Sequence, residues 1–281
     1  MSLLRDFNAG LTESMSGLSE IERGKSEAAH TAVRAIDVAP YLDPEPDTPF
    51  PLRYAFFLMG DVLGKTVLDL GCGSGENTVP LLARGAHVIA LDISQELAAL
   101  ARKRVELSPY TCPPLLVASA YDVPLPDNSI DLILCASVVH HLNIPRAMQE
   151  MRRLLKPGGA VIMKEPVRFS TLAGALRRLF PAQQDVSDDE HPLTREELRQ
   201  MKTGWHVSGE RAFRLPVVPL VRSFFGERAA HKVFPLDGWL LRHLSPLEFL
   251  STSRVLRLQK AGTEVSSKLA EANPEAQPCA E

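Results

Sequence analysis

Between residues 65 and 166 the chain alternates short apolar runs with longer segments of helical period. "TVLDLG", "HVIALD", "PLLVAS", "IDLILCAS" and "AVIMKEP" are runs of roughly four to eight residues bounded by turn formers, the pattern of strands buried on both faces. The segments between them carry apolar residues three and four apart. A helix is expected near "NTVPLLARG", closed by Gly85, with Pro80 near its first turn if it starts close to Glu76. Ser94 is placed to cap "QELAALARKRVEL", which puts Leu97, Leu100, Ala101 and Val105 on one face. "NIPRAMQEMRRLL" spaces Ala147, Met148, Met151, Leu154 and Leu155 likewise and stops at "KPGG". Strands alternating with helices predict a parallel, doubly wound α/β sheet, in which ligands bind beyond the carboxyl ends of the strands where their order reverses.

The flanking pattern is less regular. Residues 19–64 read as a helical segment on the substrate side, interrupted by "APYLDPEPDTPFP", whose five prolines predict an extended connector. Past Pro166, residues 167–261 read as an insertion followed by closing strands. Thr194 and Glu197 make a capping box, and "WHVSGERAFRL" and "SRVLRLQK" alternate as two further strands, completing a seven-stranded, mostly parallel sheet. Between them, "LPVVPLVRSFFG" and "FPLDGWLLRHL" are apolar and partly basic, suiting a lid, a homodimer contact, a wall for a greasy acceptor or a membrane-touching surface. Residues 1–18 and 262–281 lack an apolar period and are expected to be disordered.

Composition narrows the partners. Of 281 residues, 45% are hydrophobic and 23% charged, ordinary for a globular protein with a sizeable core. The formal net charge is −3, so broad attraction to nucleic acid is not expected. Cys72, Cys112, Cys135 and Cys279 show no C-x-x-C pairing, which fits free thiols in a reducing, cytoplasmic setting. The start lacks the pattern of a secretory signal, and no uninterrupted apolar run is long enough for a transmembrane helix.

The strongest local signal is "VLDLGCGSGEN". Gly71, Gly73 and Gly75 let backbone approach a ligand and lead it to a helix N-terminus. A dinucleotide turn would want a third glycine where Glu76 stands, and Asp69 would repel a pyrophosphate. Asp92, at the end of the second strand, lies where an acid accepts both hydroxyls of a ribose. A nucleoside carrying a positive charge and no phosphates satisfies all three facts.

At these residues the chain resembles the class I S-adenosylmethionine-dependent methyltransferases, small-molecule type. The resemblance runs from about Lys65 to Pro166 and rests on "VLDLGCGSG", the acidic end of "VIALDIS", "YDVPLPDNSIDLI", "SVVHHL" and "LLKPGG", in order. It implies a Rossmann-like methyltransferase fold with an S-adenosylmethionine-binding core over 65–166, S-adenosylhomocysteine as product and no metal. It places Gly71, Cys72, Gly73 and Gly75 around the methionyl and ribose parts, and Asp69 near the amino group. Asp92 would take the ribose hydroxyls, Ile93 would pack on adenine, and Ala136 and Ser137 would line the pocket after the fourth strand. Where the family often has an acid accepting from the adenine amino group, this chain has Ser119, with Ala120 offering its N–H; Asp122 is the alternative.

Methyl transfer from a sulfonium is an in-line displacement in which the protein supplies alignment, and a base is needed only when the acceptor arrives protonated. His140 and His141 follow the fourth strand. As neighbours they should diverge, and neither H-x-H nor H-x₃-H spacing is present, which argues against a shared metal. In the resemblance the first histidine faces the substrate and the second ties the loop down. Glu165 would be the acid that orients His140 as the base for a hydroxyl acceptor. Glu190 and His191, in "SDDEHPLT", are candidates for the acceptor pocket, with a solvated loop as the bland alternative. The expected activity is methylation of a small, apolar metabolite, at oxygen before carbon or nitrogen; a silent nucleoside-binding scaffold is the alternative.

Overall fold

The computed structural model describes residues 21–169, 191–215, 218, 221 and 224–260. The expected disordered ends, Glu190 and most of 167–190 lie outside these residues. The elements in chain order are α1 (21–30), α2 (Ala39–Leu42), α3 (Pro51–Met59), β1 (Thr66–Leu70), α4 (Thr78–Ala83), β2 (His87–Asp92), α5 (Gln95–Glu106) and β3 (Leu115–Val117). There follow β4 (Ile130–Ala136), a 3-10 turn (Val139–His141), α6 (Ile144–Leu154), β5 (Leu155–Pro166), α7 (Arg195–Lys202), β6 (His206–Phe213), α8 (Glu227–His243), a second 3-10 turn (Ser245–Leu250) and β7 (Ser253–Gln259).

The seven strands form one sheet in the order β3-β2-β1-β4-β5-β7-β6. The first five are parallel, and β7 runs antiparallel to both its neighbours. Strand order reverses between β1 and β4, so the carboxyl ends of β1, β2 and β4 open a crevice there.

The alternation along each strand explains the layers. Leu68 and Leu70, Ile133 and Cys135, Val161 and Met163 pack with Met148 and Met151 of α6 and Leu198 and Met201 of α7. The intervening Val67, Leu132, Leu134, Ala160 and Ile162 pack on the other face with Ala55, Phe56 and Met59 of α3. Period-two burial in both directions is what a sheet covered on each face requires.

Local chemistry sets the helix ends. Ser94 Oγ accepts from the Leu97 N–H at 3.2 Å, Asn143 Oδ1 from the Arg146 N–H at 3.3 Å, and Thr194 with Glu197 forms the expected capping box. Gly85, at φ +75°, follows α4 as a left-handed cap. Two expectations need correction. The proline-rich connector is not wholly extended, because Pro40 sits in the first turn of α2 and Pro51 opens α3, where a missing N–H costs nothing. The helix holding Pro80 begins at Thr78, later than Glu76, because the glycine turn continues to Asn77. Cys72 and Cys135 are buried and Cys112 half-buried, all as free thiols; Cys279 lies outside the described residues. No helix among the described residues is long and apolar enough to cross a membrane.

Candidate active site

The turn after β1 is shaped by three positive φ angles, +68° at Gly71, +51° at Gly73 and +83° at Gly75. Their surroundings differ. A Cβ on Gly71 would stand 2.4 Å from Val138 Cγ2, whereas nothing lies within 4 Å of one on Gly73. A Cβ on Gly75 would meet Ala101 Cα at 2.9 Å, so this glycine admits the backbone of α5 and does not face the crevice. Arg104 of α5 clamps the same turn. It is 2% exposed, and it donates from Nε to the Ser74 carbonyl at 2.7 Å and from Nη2 to Ser74 Oγ at 3.0 Å. Its place three residues beyond Ala101 puts it on the apolar face of α5, which is the signal sequence reading passed over.

Asp92 closes the turn from β2. Its Oδ2 accepts from the Gly73 N–H at 2.8 Å and its Oδ1 from the Ser94 N–H at 2.9 Å. Burial pushes its pKa up, against the pull of those N–H groups and of Arg23. Asp69 lies deeper and is outside the cavity wall: it is 1% exposed and accepts from Thr78 Oγ1 at 2.6 Å. Burial raises its carboxyl to about 7, the Thr78 hydroxyl opposes this, and Asp92 adds to it.

The glycine turn and Asp92 border a cavity of about 300 Å³. Gly71, Cys72, Gly73, Asp92 and Ile93 form its floor, and Ala120, Ala136 and Ser137 its far side. Gly75 and Ser119 are not in the wall. Ser119 Oγ instead accepts from the Tyr121 N–H at 3.2 Å, a short turn that diverts it, and Ala118 takes the place in the lining. Asp122 is exposed. α1, which the sequence did not mark as part of the site, brings Arg23, Gly24 and Glu27 to the wall. Gly24 makes that approach feasible, since a Cβ there would lie 2.5 Å from Ser94 Cβ.

Beyond β4 the chain is strained and heavily bonded. Ser137 has φ +62°, held by its N–H to the Lys164 carbonyl at 2.8 Å, and its hydroxyl accepts from Lys164 Nζ at 2.6 Å. Lys164 was not singled out in the sequence. Glu165, 0% exposed, collects the first amides of the 3-10 turn: Oε1 accepts from the N–H of Val138 at 3.1 Å and Val139 at 3.0 Å. Its Oε2 lies 2.7 Å from His140 Nδ1. An ionised Glu165 therefore fixes the His140 tautomer with hydrogen on Nδ1, leaving a lone pair on Nε2. That Nε2 is buried and has no partner among the described residues.

The histidine pair departs from expectation in two ways. The rings do not diverge; on the 3-10 turn their centroids are 3.8 Å apart. It is His141, not His140, that lines the cavity, because Glu165 draws His140 inward. His141 Nδ1 accepts from Arg23 Nη1 at 3.0 Å, and burial, then His140, then Arg23 lower its pKa to about 3. His191 is exposed, and Glu190 is outside the described residues. No group of three or more metal-ligating side chains occurs among the described residues.

The geometry fits a nucleoside with a small cationic tail: a cradle open at Gly73, a carboxylate at the second strand, a buried acid beneath and, among the described residues, no arginine-rich phosphate cup. A family model described as a methyltransferase domain matches residues 68–163. The malonyl-[acyl-carrier protein] O-methyltransferase of Serratia marcescens is 33% identical over 187 residues, 63% of this chain and 69% of that protein. The demethylmenaquinone methyltransferase of Symbiobacterium thermophilum is 36% identical over 107 residues, 36% of this chain and 43% of that one. Among solved structures, geranyl diphosphate C-methyltransferase from Streptomyces coelicolor A3(2), in complex with Mg2+, geranyl diphosphate and S-adenosyl-L-homocysteine, shares the fold. Its TM-score is 0.56 at 16% identity, covering 88% of this chain and 98% of that one. The chain belongs to the class I S-adenosylmethionine-dependent methyltransferases, and S-adenosylmethionine is its methyl donor.

Proposed function

We propose that the protein methylates a hydroxyl oxygen of a small, apolar molecule, with His140 as the base and Glu165 as its orienting acid. The observation that carries this reading is the buried Nδ1–Glu165 pair at 2.7 Å with an unpartnered Nε2, two residues from the cavity-lining Val138. Bound S-adenosylmethionine supplies an activated methyl carbon on a sulfonium. The floor of Gly71, Gly73 and Asp92 holds the nucleoside, and Asp69 beneath it favours the cationic amino group. Ala136 and Ser137 bound the end of the cavity where the acceptor arrives. A shift of the 3-10 turn that opens His140 Nε2, buried in this structure, onto the cavity lets it accept the acceptor's proton, and Glu165 then stabilises the imidazolium that results. His141, neutral and tied to Arg23, serves as wall and not as base. Residues 19–64 act as a cap over the donor, and 167–261 carry the acceptor's recognition.

A second reading follows from the similarity to the malonyl-[acyl-carrier protein] O-methyltransferase: a carboxylate acceptor is already ionised and needs no base. Labelled S-adenosylmethionine, offered with panels of hydroxyl-bearing and carboxylate-bearing acceptors, separates the two. On the first reading, wild type labels hydroxyl acceptors and His140→Gln loses them. Labelling of carboxylates alone, equal in wild type and His140→Gln, would overturn the base assignment.

A further inference from the structure

Large apolar side chains exposed to solvent are unevenly placed in this molecule. Of the eleven among the described residues, six fall between 224 and 249: Phe224, Phe225, Leu236, Trp239, Leu244 and Phe249. The other five are scattered singly, which is ordinary for a soluble surface; a concentration of this kind is not. The four aromatic members of the eleven are all in this stretch, with Phe225 74% and Trp239 49% exposed.

The period of α8 shows how they are organised. Phe234, Asp237 and Leu241 are buried, and Asp237 accepts from the Leu215 N–H at 2.8 Å. The opposite stripe carries Arg228, Lys232, Leu236, Trp239, Arg242 and His243, at spacings of three and four, and all are exposed. Two of its three cations, Arg228 and Lys232, make no ion pair among the described residues; the third, Arg242, pairs with Asp47 at 3.5 Å. The Trp239 ring stacks on His243 with centroids 4.8 Å apart, which restrains it. A chain of net charge −3 thus displays a basic stripe that grades into aromatic and aliphatic side chains.

We infer that the outer face of α8, with Phe224 and Phe225, docks on an anionic lipid surface. Aromatic rings settle at the level of the headgroups, while Arg and Lys extend along their apolar stems to the phosphates. The charge pattern selects this occupant: a second copy of the chain would bring the same cations together. Docking there would bring the enzyme to acceptors dissolved in the bilayer.

The test uses the full chain with mixed phosphatidylcholine–phosphatidylglycerol vesicles and, in parallel, vesicles of phosphatidylcholine alone. Flotation should show binding to the anionic vesicles that is about tenfold stronger than to the neutral ones at low salt and fades as salt rises. Brominated lipid should quench Trp239, since Trp205 is only 9% exposed. Phe225→Ser with Trp239→Ser, and separately Arg228→Glu with Lys232→Glu, should each lower vesicle binding about tenfold while leaving donor affinity unchanged. Absence of binding to anionic vesicles at low salt would overturn the proposal. So would a dimer in sedimentation velocity that Phe225→Ser with Trp239→Ser dissolves, with vesicle binding unaffected.

Discussion

The donor floor and the outer flank made by α7, α8 and β6 are built from different materials. The floor uses backbone amides, two half-buried glycines at positive φ, Gly71 and Gly73, and the buried carboxylate of Asp92. The flank uses long cations and rings. Arg254 lies between Glu210 at 3.5 Å and Glu248 at 2.9 Å, and Phe169 has the guanidinium groups of Arg195 and Arg254 at 5.5 and 5.4 Å. Backbone geometry admits few sequences, so a site made of it is stereotyped. Side chains on flexible stems can be exchanged while the sheet beneath stays as it is.

If that contrast is right, the same substitution should act differently on the two sides. Gly71→Val combines a forbidden φ with a collision against Val138, so donor affinity measured by calorimetry should fall more than about 100-fold. Gly226, also at positive φ but with open space around it, should cost about 1–3 kcal/mol of stability on change to Ala, with donor affinity intact. Asp92→Ala strips the Gly73 and Ser94 N–H groups of their acceptor and should weaken donor binding by roughly 30-fold, or about 2 kcal/mol. Arg254→Met on the flank should lower the melting temperature and leave the donor dissociation constant alone.

A smaller effect comes from Asp69. Its folded pKa of about 7 stands above the ordinary 3.8, so in the free protein it holds a proton that the unfolded chain has lost between those values. It therefore makes free-protein stability fall as pH rises from about 4 to 7. A bound ammonium favours the ionised form, so donor binding should release a proton and weaken as pH drops below 7, by up to about tenfold per unit. Calorimetry in buffers of different ionisation enthalpy should show the release, and Asp69→Asn should abolish it. The smallest effect is at His141. Its folded pKa of about 3 lies below the ordinary 6.5, so its contribution to stability is full above 6.5 and is lost as pH falls toward 3. His141→Asn should flatten that limb of the melting curve.

The same contrast explains what could be read in the sequence. Strands, caps and the glycine turn follow from local period and local bonds, and Gly71, Gly73 and Asp92 of the floor came with them, while Ala136 and Ser137 on the far side came only from the family resemblance. Gly75 and Ser119 were misplaced because their roles depend on what packs beside them: Ala101 in one case, the Tyr121 N–H in the other. Arg23, Arg104 and Lys164 were missed because each acts across the chain, reaching His141, Ser74 and Ser137. The pairing of His140 with Glu165 was legible from their places after β4 and at the end of β5. Which ring would face the cavity was not, since a 3-10 turn sets it and no periodicity announces one.

The central claim is that His140 moves a proton while the floor holds the donor. The direct measurement is the single-turnover rate of methyl transfer to a hydroxyl acceptor by His140→Ala, with and without added imidazole, beside the donor dissociation constant. The rate should drop by about 10²- to 10⁴-fold, imidazole should restore part of it, and the dissociation constant should stay within about twofold. An unchanged rate on that acceptor, or a loss explained by weaker donor binding, would contradict it.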